Sequence, residues 1–155
     1  MNIFVLDLDP KTCASYHCDR HCGKMILESV QLLCTTHNLH NSTSPYKSTH
    51  SNHPCRLWVE KSRSNYLWLK ELTHYLNEEF KTRYKKSSNH LSFDKMQTLE
   101  FPSFLPDLGL TEHPKCMPEH CKKENVVDSY RTYYILDKNE IAQWKYSAIP
   151  YWYNL

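Results

Sequence analysis

The chain has 155 residues, a formal net charge of +2 with histidines neutral, ten histidines, seven cysteines and only two glycines. This length fits one domain and is too short for a dinucleotide-binding domain plus a second domain. Because Gly23 and Gly109 are isolated, the sequence contains neither a GxGxxG fingerprint nor a GxxxxGK(S/T) phosphate loop. The small positive charge permits binding to phosphate polyanions, so we expect a nucleic acid or a nucleotide as partner.

The start of the chain and the number of cysteines indicate in which cellular compartment the protein is expected. Residues 3–6 are apolar, but Asp7 follows at once and no basic residue precedes them, which argues against a signal peptide. No apolar run in the sequence reaches membrane length, so no membrane partner is expected. An odd number of cysteines leaves one thiol outside any closed disulfide set, which favours a reducing compartment. We expect the cytoplasm, or the nucleus of a host cell if the protein is viral.

Taken in chain order, the predicted elements are mainly helical. Residues 2–6 are compatible with one short strand. A long helix is predicted over residues 12–37, where no proline occurs and apolar residues recur at helical spacing. Residues 39–53 are polar and typical of a loop. Three further helical segments are predicted: residues 54–86 with a break near 62–64, residues 124–136, and one or two turns at 139–145. The stretch 87–121 is predicted to be mostly loop. The expected fold is a mainly α, compact helical bundle with residues 1–155 in a single domain.

One face of the predicted first helix carries the residue types that acid–base and nucleophilic chemistry need. Its members are spaced i, i+4, i+7, i+11 and i+14, so they share that face. They are His17, His21, Lys24, Glu28 and Gln31, flanked by Asp19 and Arg20, which are candidates for binding the substrate. A solvated face with an ordinary Lys24–Glu28 pair is the alternative interpretation. In a cleft, desolvation and positive neighbours would favour the neutral, nucleophilic form of Lys24, with Glu28 moving protons and His17 and His21 assisting.

Two other segments are candidates for binding the substrate. The polar loop and the helix after it supply cations and imidazoles suited to phosphate, with a flexible polar loop as the alternative. These residues are Lys47, His50, Asn52, His53, Arg56 and Arg63. Near the C-terminus, Trp144 and Lys145 belong to an aromatic segment that either closes the core or stacks on bases.

No residue is assigned as a metal ligand and no cofactor is expected, although two ligand sets stay open. His17 and His21 are an i, i+4 pair that Asp19, His50 or His53 could complete, which would activate a water for hydrolysis. The second set has residue types suited to structural zinc at a non-standard spacing. It comprises His113, Cys116, His120 and Cys121.

Nearly the whole chain resembles a family of short phage and large-virus proteins. The resemblance lies in four places: the Ile3-Phe4-Val5-Leu6-Asp7 opening, His17-Cys18-Asp19-Arg20-His21 with Lys24-Met25-Ile26-Leu27-Glu28, Thr49-His50-Ser51-Asn52-His53-Pro54-Cys55, and Trp144-Lys145. This family implies no particular activity.

A looser resemblance is to the phage-type pyrimidine-dimer DNA glycosylase/AP lyases, through His21, Glu28 and Trp144-Lys145-Tyr146. It implies a small, mainly helical, cofactor-free enzyme in which an N-terminal helix presents a His and a catalytic Glu. Those enzymes use the N-terminal amine of a small second residue, exposed by removal of the initiator Met. Asn2 is too bulky for efficient removal of Met1, so the Met1 amine or Lys24 would take that role here.

Three functions follow from these patterns. The first is a DNA glycosylase/AP lyase that excises a damaged or modified pyrimidine through an amine nucleophile and Glu28. The second is a nucleotide or phosphodiester hydrolase that uses the His/Asp/Lys residues of the first helix. The third is a non-enzymatic viral protein that binds nucleic acid or a host factor. For the site itself, we expect His17, Lys24, Glu28 and His53 to converge on one pocket.

Overall fold

The structure, a computed structural model, describes residues 1–153, and every regular element in that part of the chain is a helix. The mainly α fold class is therefore confirmed. The α-helices are α1 (Pro10–Tyr16), α2 (Asp19–Leu39), α3 (Pro54–Lys61), α4 (Arg63–Arg83), α5 (Leu91–Met96) and α6 (Val126–Leu136), with one 3₁₀ turn at Glu119–Cys121. The two long helices, α2 and α4, pack on each other, and α1, α3 and α5 pack on one or both of them. Within residues 1–153, no helix is long and apolar enough to cross a membrane.

The helix predicted over residues 12–37 is interrupted at His17 and Cys18, so that its first residues, 12–16, belong to α1 and the rest to α2. Both residues have extended backbone angles, and α2 starts afresh at Asp19. Other segments satisfy the polar backbone groups that the break frees. The Cys18 N–H donates to the Tyr134 hydroxyl at 3.3 Å, the Asp19 N–H donates to the carbonyl of Gln143 at 2.9 Å, and the carbonyl of His17 accepts from Arg83 at 2.6 Å.

The N-terminal segment does not form the predicted strand in the described residues. Residues 3–6 are buried, and they run through the core with no partner strand beside them. Side chains hold the segment instead: Arg131 donates from Nε to the carbonyl of Leu6 at 2.9 Å, and Cys13 donates to the carbonyl of Phe4 at 3.2 Å. The burial of this segment places the first residues of the chain against α2 and α6.

The later helices begin where local signals indicate. Pro54 opens α3, and the predicted break separates α3 from α4, whose first turn is capped by the hydroxyl of Ser62. Asn125 caps α6 by accepting from the N–H of Asp128 at 2.8 Å. Of the one or two helical turns predicted at 139–145, one is present, closed by the Ala142 N–H donating to the carbonyl of Lys138 at 2.9 Å, and no regular helix forms there.

Candidate active site

A pocket of about 160 Å³ lies between the start of the chain, α2 and the end of α6. It is lined by Met1, Asn2, Phe4, His21, Lys24, Met25, Glu28, Tyr133 and Lys138. Helical spacing on α2 puts His21, Lys24 and Glu28 on the same side of that helix, as the sequence predicts. We call this cavity the N-terminal pocket.

The α-amino group of Met1 is the nearest cation to the carboxylate of Glu28, at 3.3 Å from its Oε1. The Met1 side chain is almost completely buried and the Glu28 side chain is 15% exposed, so the pair is reached from solvent on one side. The next residue fixes its position: the Asn2 carboxamide donates to the carbonyl of Cys116 at 2.9 Å and accepts from the Tyr130 hydroxyl at 2.9 Å. The amine therefore has a defined place beside the Glu28 carboxylate.

Positive charge exceeds negative charge around this pocket. Lys24 and Lys138 flank the Met1–Glu28 pair, and the ammonium of Lys138 lies 5.0 Å from the centre of the Tyr133 ring. The Lys24 side chain is exposed, so the desolvation invoked for its nucleophilic form is absent. Of the two candidate amines, the Met1 amine is the one that is paired with a carboxylate.

His17 and His21 are buried and neutral, and only His21 lines the pocket. Burial lowers the pKa of His17 to about 4, and its Nδ1 donates to the carbonyl of Cys13 at 2.8 Å. Burial, with nearby positive charges, lowers the pKa of His21 to about 3; its ring stacks on Phe4 at 4.4 Å and bonds the Tyr134 hydroxyl at 2.6 Å. The ring of His17 is fully buried and lies outside the lining of the N-terminal pocket, so its predicted catalytic role gains no support from this geometry.

These buried histidines predict that acidification destabilises the fold. His113 is a third case, since burial lowers its pKa to about 4. As the pH drops through about 6.5, these histidines become protonated in the unfolded chain but stay neutral in the folded protein. The free energy of unfolding therefore decreases as the pH is lowered toward their folded pKa values. We expect a loss on the order of 1 kcal/mol for each of the three between about pH 7.5 and 5.5, measured by urea unfolding. His21→Gln should reduce this pH dependence, whereas His74→Gln, at an exposed position, should leave it unchanged. Equal stability of the wild-type protein at both pH values would contradict this prediction.

The predicted phosphate-binding cluster is dispersed. Lys47, His50 and Asn52 are exposed on the loop before α3, away from the lining of the N-terminal pocket. His53 is partly buried, and its Nδ1 caps α3 by accepting from the Cys55 N–H at 3.1 Å. The expected convergence of His17, Lys24, Glu28 and His53 on one pocket is therefore met only by Lys24 and Glu28.

The two arginines predicted to bind phosphate have structural partners. Arg56 is buried, donates to the carbonyl of Ser51 at 2.7 Å and pairs with Glu60 at 2.6 Å. Arg63 donates to the carbonyls of residues 102, 103 and 105 and so anchors the loop that crosses α4. Both guanidiniums are therefore engaged in contacts within the protein.

The C-terminal segment closes the core and also borders a second, open cleft. Trp144 is buried, and its indole donates to the carbonyl of Tyr16 at 3.1 Å. Asp19 is used structurally too, since its carboxylate accepts from the Lys145 N–H at 2.7 Å. The exposed side chains of Arg20 and Lys145 line a cleft of about 450 Å³ with Tyr84 and Tyr146, among others. Of the predicted pair Trp144 and Lys145, only the Lys145 side chain is therefore available to a ligand.

Neither open metal set comes together in the described residues. His113 is buried at ring-centre distances of 4.3 Å from Trp58 and 4.4 Å from Trp68, separated from the other members of its set. The His/Cys/Asp/Glu groups that do cluster within residues 1–153 are His120, Cys121, Asp137 and His53, Cys55, Cys116.

Lys138, Tyr133 and the pairing of Cys55 with Cys116 are contributions that sequence reasoning missed. Lys138 and Tyr133 are far in the chain from Met1 and Glu28, and Cys55 is 61 positions from Cys116, so no local pattern marks either contribution. Charge offers the one partial signal, because Lys138 follows directly on the C-terminus of α6, where cations are favoured. The chain has no significant match among protein-family models, curated proteins or solved structures, so both family resemblances remain predictions.

Proposed function

We propose that the protein is a DNA glycosylase/AP lyase that removes a damaged or modified pyrimidine, with the Met1 α-amine as nucleophile and Glu28 as acid–base residue. The observation that carries this proposal is the 3.3 Å contact between the amine and the Glu28 carboxylate inside a cationic pocket. Glu28 takes a proton from the ammonium and so frees the amine lone pair.

The reaction needs no group beyond these two and water. The amine attacks C1′ of the deoxyribose, the glycosidic bond breaks, and the base leaves with that electron pair and takes up a proton. Opening of the C1′–O4′ bond, with a proton to O4′, converts the adduct to an imine. Glu28 removes a proton from C2′, and the 3′ phosphate leaves with the electrons of its C3′–O bond. Water then hydrolyses the imine and restores the amine.

The surroundings favour a nucleotide within a strand over a free nucleotide. A volume of about 160 Å³ is small against the 300–1,000 Å³ typical of small-molecule sites, so it accommodates a sugar more readily than a whole nucleotide. Arg20 and Lys24 are one turn apart on α2, and this spacing links the cleft that holds Lys145 to the N-terminal pocket. Cations in such a row suit the phosphates of a nucleic-acid backbone.

Borohydride trapping on an oligonucleotide with an abasic site tests the nucleophile. Borohydride reduces the imine and leaves a covalent complex, which we expect for the wild type, for Lys24→Ala and for the exposed control Lys61→Ala. A form extended by Gly-Ser before Met1 has no amine at that place and should give at least about 100-fold less complex.

Three outcomes would overturn this assignment. The first is a wild-type protein that forms no covalent complex. Hydrolysis of free nucleotides would then indicate a hydrolase, and DNA binding that is unchanged by alanine at Lys24 and Glu28 would indicate a binding protein. The second is an undiminished complex in both the extended form and Lys24→Ala. The third is a complex lost in Lys24→Ala but retained in the extended form, which would make Lys24 the nucleophile.

A further inference from the structure

Cys55, Cys116 and His53 bring two thiols and an imidazole together beside the N-terminal segment. The two sulfur atoms are 3.9 Å apart, and one ligand atom from each of the three residues lies within 4.8 Å of the other two. Cys55 is fully buried, whereas Cys116 and His53 are half-buried, so the cluster has one side toward solvent.

This spacing matches the ligand shell of a tetrahedral zinc ion. Zinc bonds thiolate sulfur at about 2.3 Å, which holds two sulfur ligands about 3.8 Å from each other. The sulfur–sulfur distance of 3.9 Å therefore needs almost no movement to accept the ion. Thiolate and imidazole ligands select zinc over magnesium or calcium, which prefer oxygen.

The polar groups around the cluster hold the two cysteines in register. The Asn2 carboxamide oxygen lies 3.6 Å from the Cys55 sulfur, and the Asn2 amide group donates to the carbonyl of Cys116 at 2.9 Å. The Tyr130 hydroxyl accepts from the Cys116 N–H at 3.2 Å and donates to Asn2 at 2.9 Å. Such an outer set of hydrogen bonds is what orients the ligands of metal sites in proteins.

We propose that His53, Cys55 and Cys116 form a zinc site, with an oxygen from water or substrate as the fourth ligand. Both cysteines bind as thiolates, so each loses its proton to solvent when the ion enters. Because Asn2 contacts both cysteines, the ion would secure the segment that positions the Met1 amine. This site goes beyond the proposed glycosylase chemistry, whose steps use no metal.

Cobalt titration of the reduced, full-length, metal-free protein tests the site without any DNA. We expect one Co²⁺ per chain, with a thiolate-to-cobalt charge-transfer band that zinc abolishes, and a dissociation constant for zinc below about 1 µM. Cys55→Ser, Cys116→Ser and His53→Ala should each weaken binding at least about 100-fold, with Cys34→Ser as a buried-cysteine control that leaves it unchanged. Zinc should also protect the half-buried Cys116, mapped by peptide mass, from alkylation by iodoacetamide.

The proposal fails if the wild type shows no thiolate–cobalt band, if the band persists in the Cys55→Ser/Cys116→Ser double variant, or if Cys121→Ser abolishes it while Cys116→Ser does not. Circular dichroism of each variant shows whether it is folded, and zinc protection of Cys116 in wild-type protein needs no variant at all. Borohydride trapping in the presence of a chelator keeps this result separate from the glycosylase test, because each assay can fail while the other succeeds.

Discussion

Replacing Glu28 with glutamine is expected to lower the rate of strand cleavage at an abasic site by about 10²- to 10³-fold. Glutamine keeps the shape of the side chain but cannot take the proton of the Met1 ammonium, which lies 3.3 Å from Oε1, and cannot remove a proton from C2′. The measurement is a single-turnover cleavage assay with enzyme in excess over a labelled oligonucleotide, so that product release does not mask the chemical step.

Two variants make this result interpretable. Glu71→Gln changes an exposed carboxylate on α4 and should cleave like the wild type. Glu28→Asp retains a base at a longer distance from the amine and should fall between wild type and glutamine. Cleavage by Glu28→Gln at the wild-type rate would remove Glu28 from the proposed mechanism, even if the Met1 amine still forms a trapped complex.

Replacing Arg83 with alanine is expected to lower the free energy of unfolding by about 3 kcal/mol. The Arg83 guanidinium is buried near the end of α4 and donates to the carbonyls of His17 and Ser15, at 2.6 and 3.0 Å. It also pairs with Asp19 at 3.3 Å and with Glu79 at 3.1 Å. Alanine leaves both carbonyls without this donor and both carboxylates without their cation, and the Asp19 side chain, at 11% exposure, has little water to replace it.

Urea unfolding at neutral pH measures this loss, with the exposed Arg20→Ala as the matched arginine control, expected within about 0.5 kcal/mol of wild type. Arg83→Lys retains the charge but cannot donate in several directions at once, so an intermediate loss is expected. A loss below 1 kcal/mol for Arg83→Ala would show that solvent or neighbouring groups replace its contacts, and that the junction of α1 and α2 does not depend on it.

Much of the helical framework follows from short-range signals in the sequence. Pro54 and Ser62 mark the starts of α3 and α4, and Asn125 caps α6 close to the predicted start at residue 124. Proline, capping side chains and apolar spacing act within one or two turns of chain, so their effect can be read locally. The same reasoning places His21, Lys24 and Glu28 on one side of α2.

Long-range contacts decide the features that sequence reasoning missed or mistook. The break at His17 and Cys18 lacks a proline or glycine; groups from α4, α6 and the C-terminal segment supply the hydrogen bonds that make it stable. From the sequence, the Trp144 side chain is compatible both with a place in the core and with a surface that stacks on bases. In the structure its indole N–H donates to the carbonyl of Tyr16, which holds it in the core.

Chemical types and helical periodicity in the chain alone were enough to establish a mainly α protein and to single out Glu28 with an amine as a candidate pair. The choice between amines needed tertiary structure, because Lys24 is exposed whereas the buried residues 3–6 bring the Met1 amine to Glu28. Cys55 and Cys116 are 61 positions apart in the chain, and their meeting depends on Asn2 and Tyr130, which are distant from one another too. Side-chain chemistry is a local property, but burial and proximity arise only when the whole chain packs.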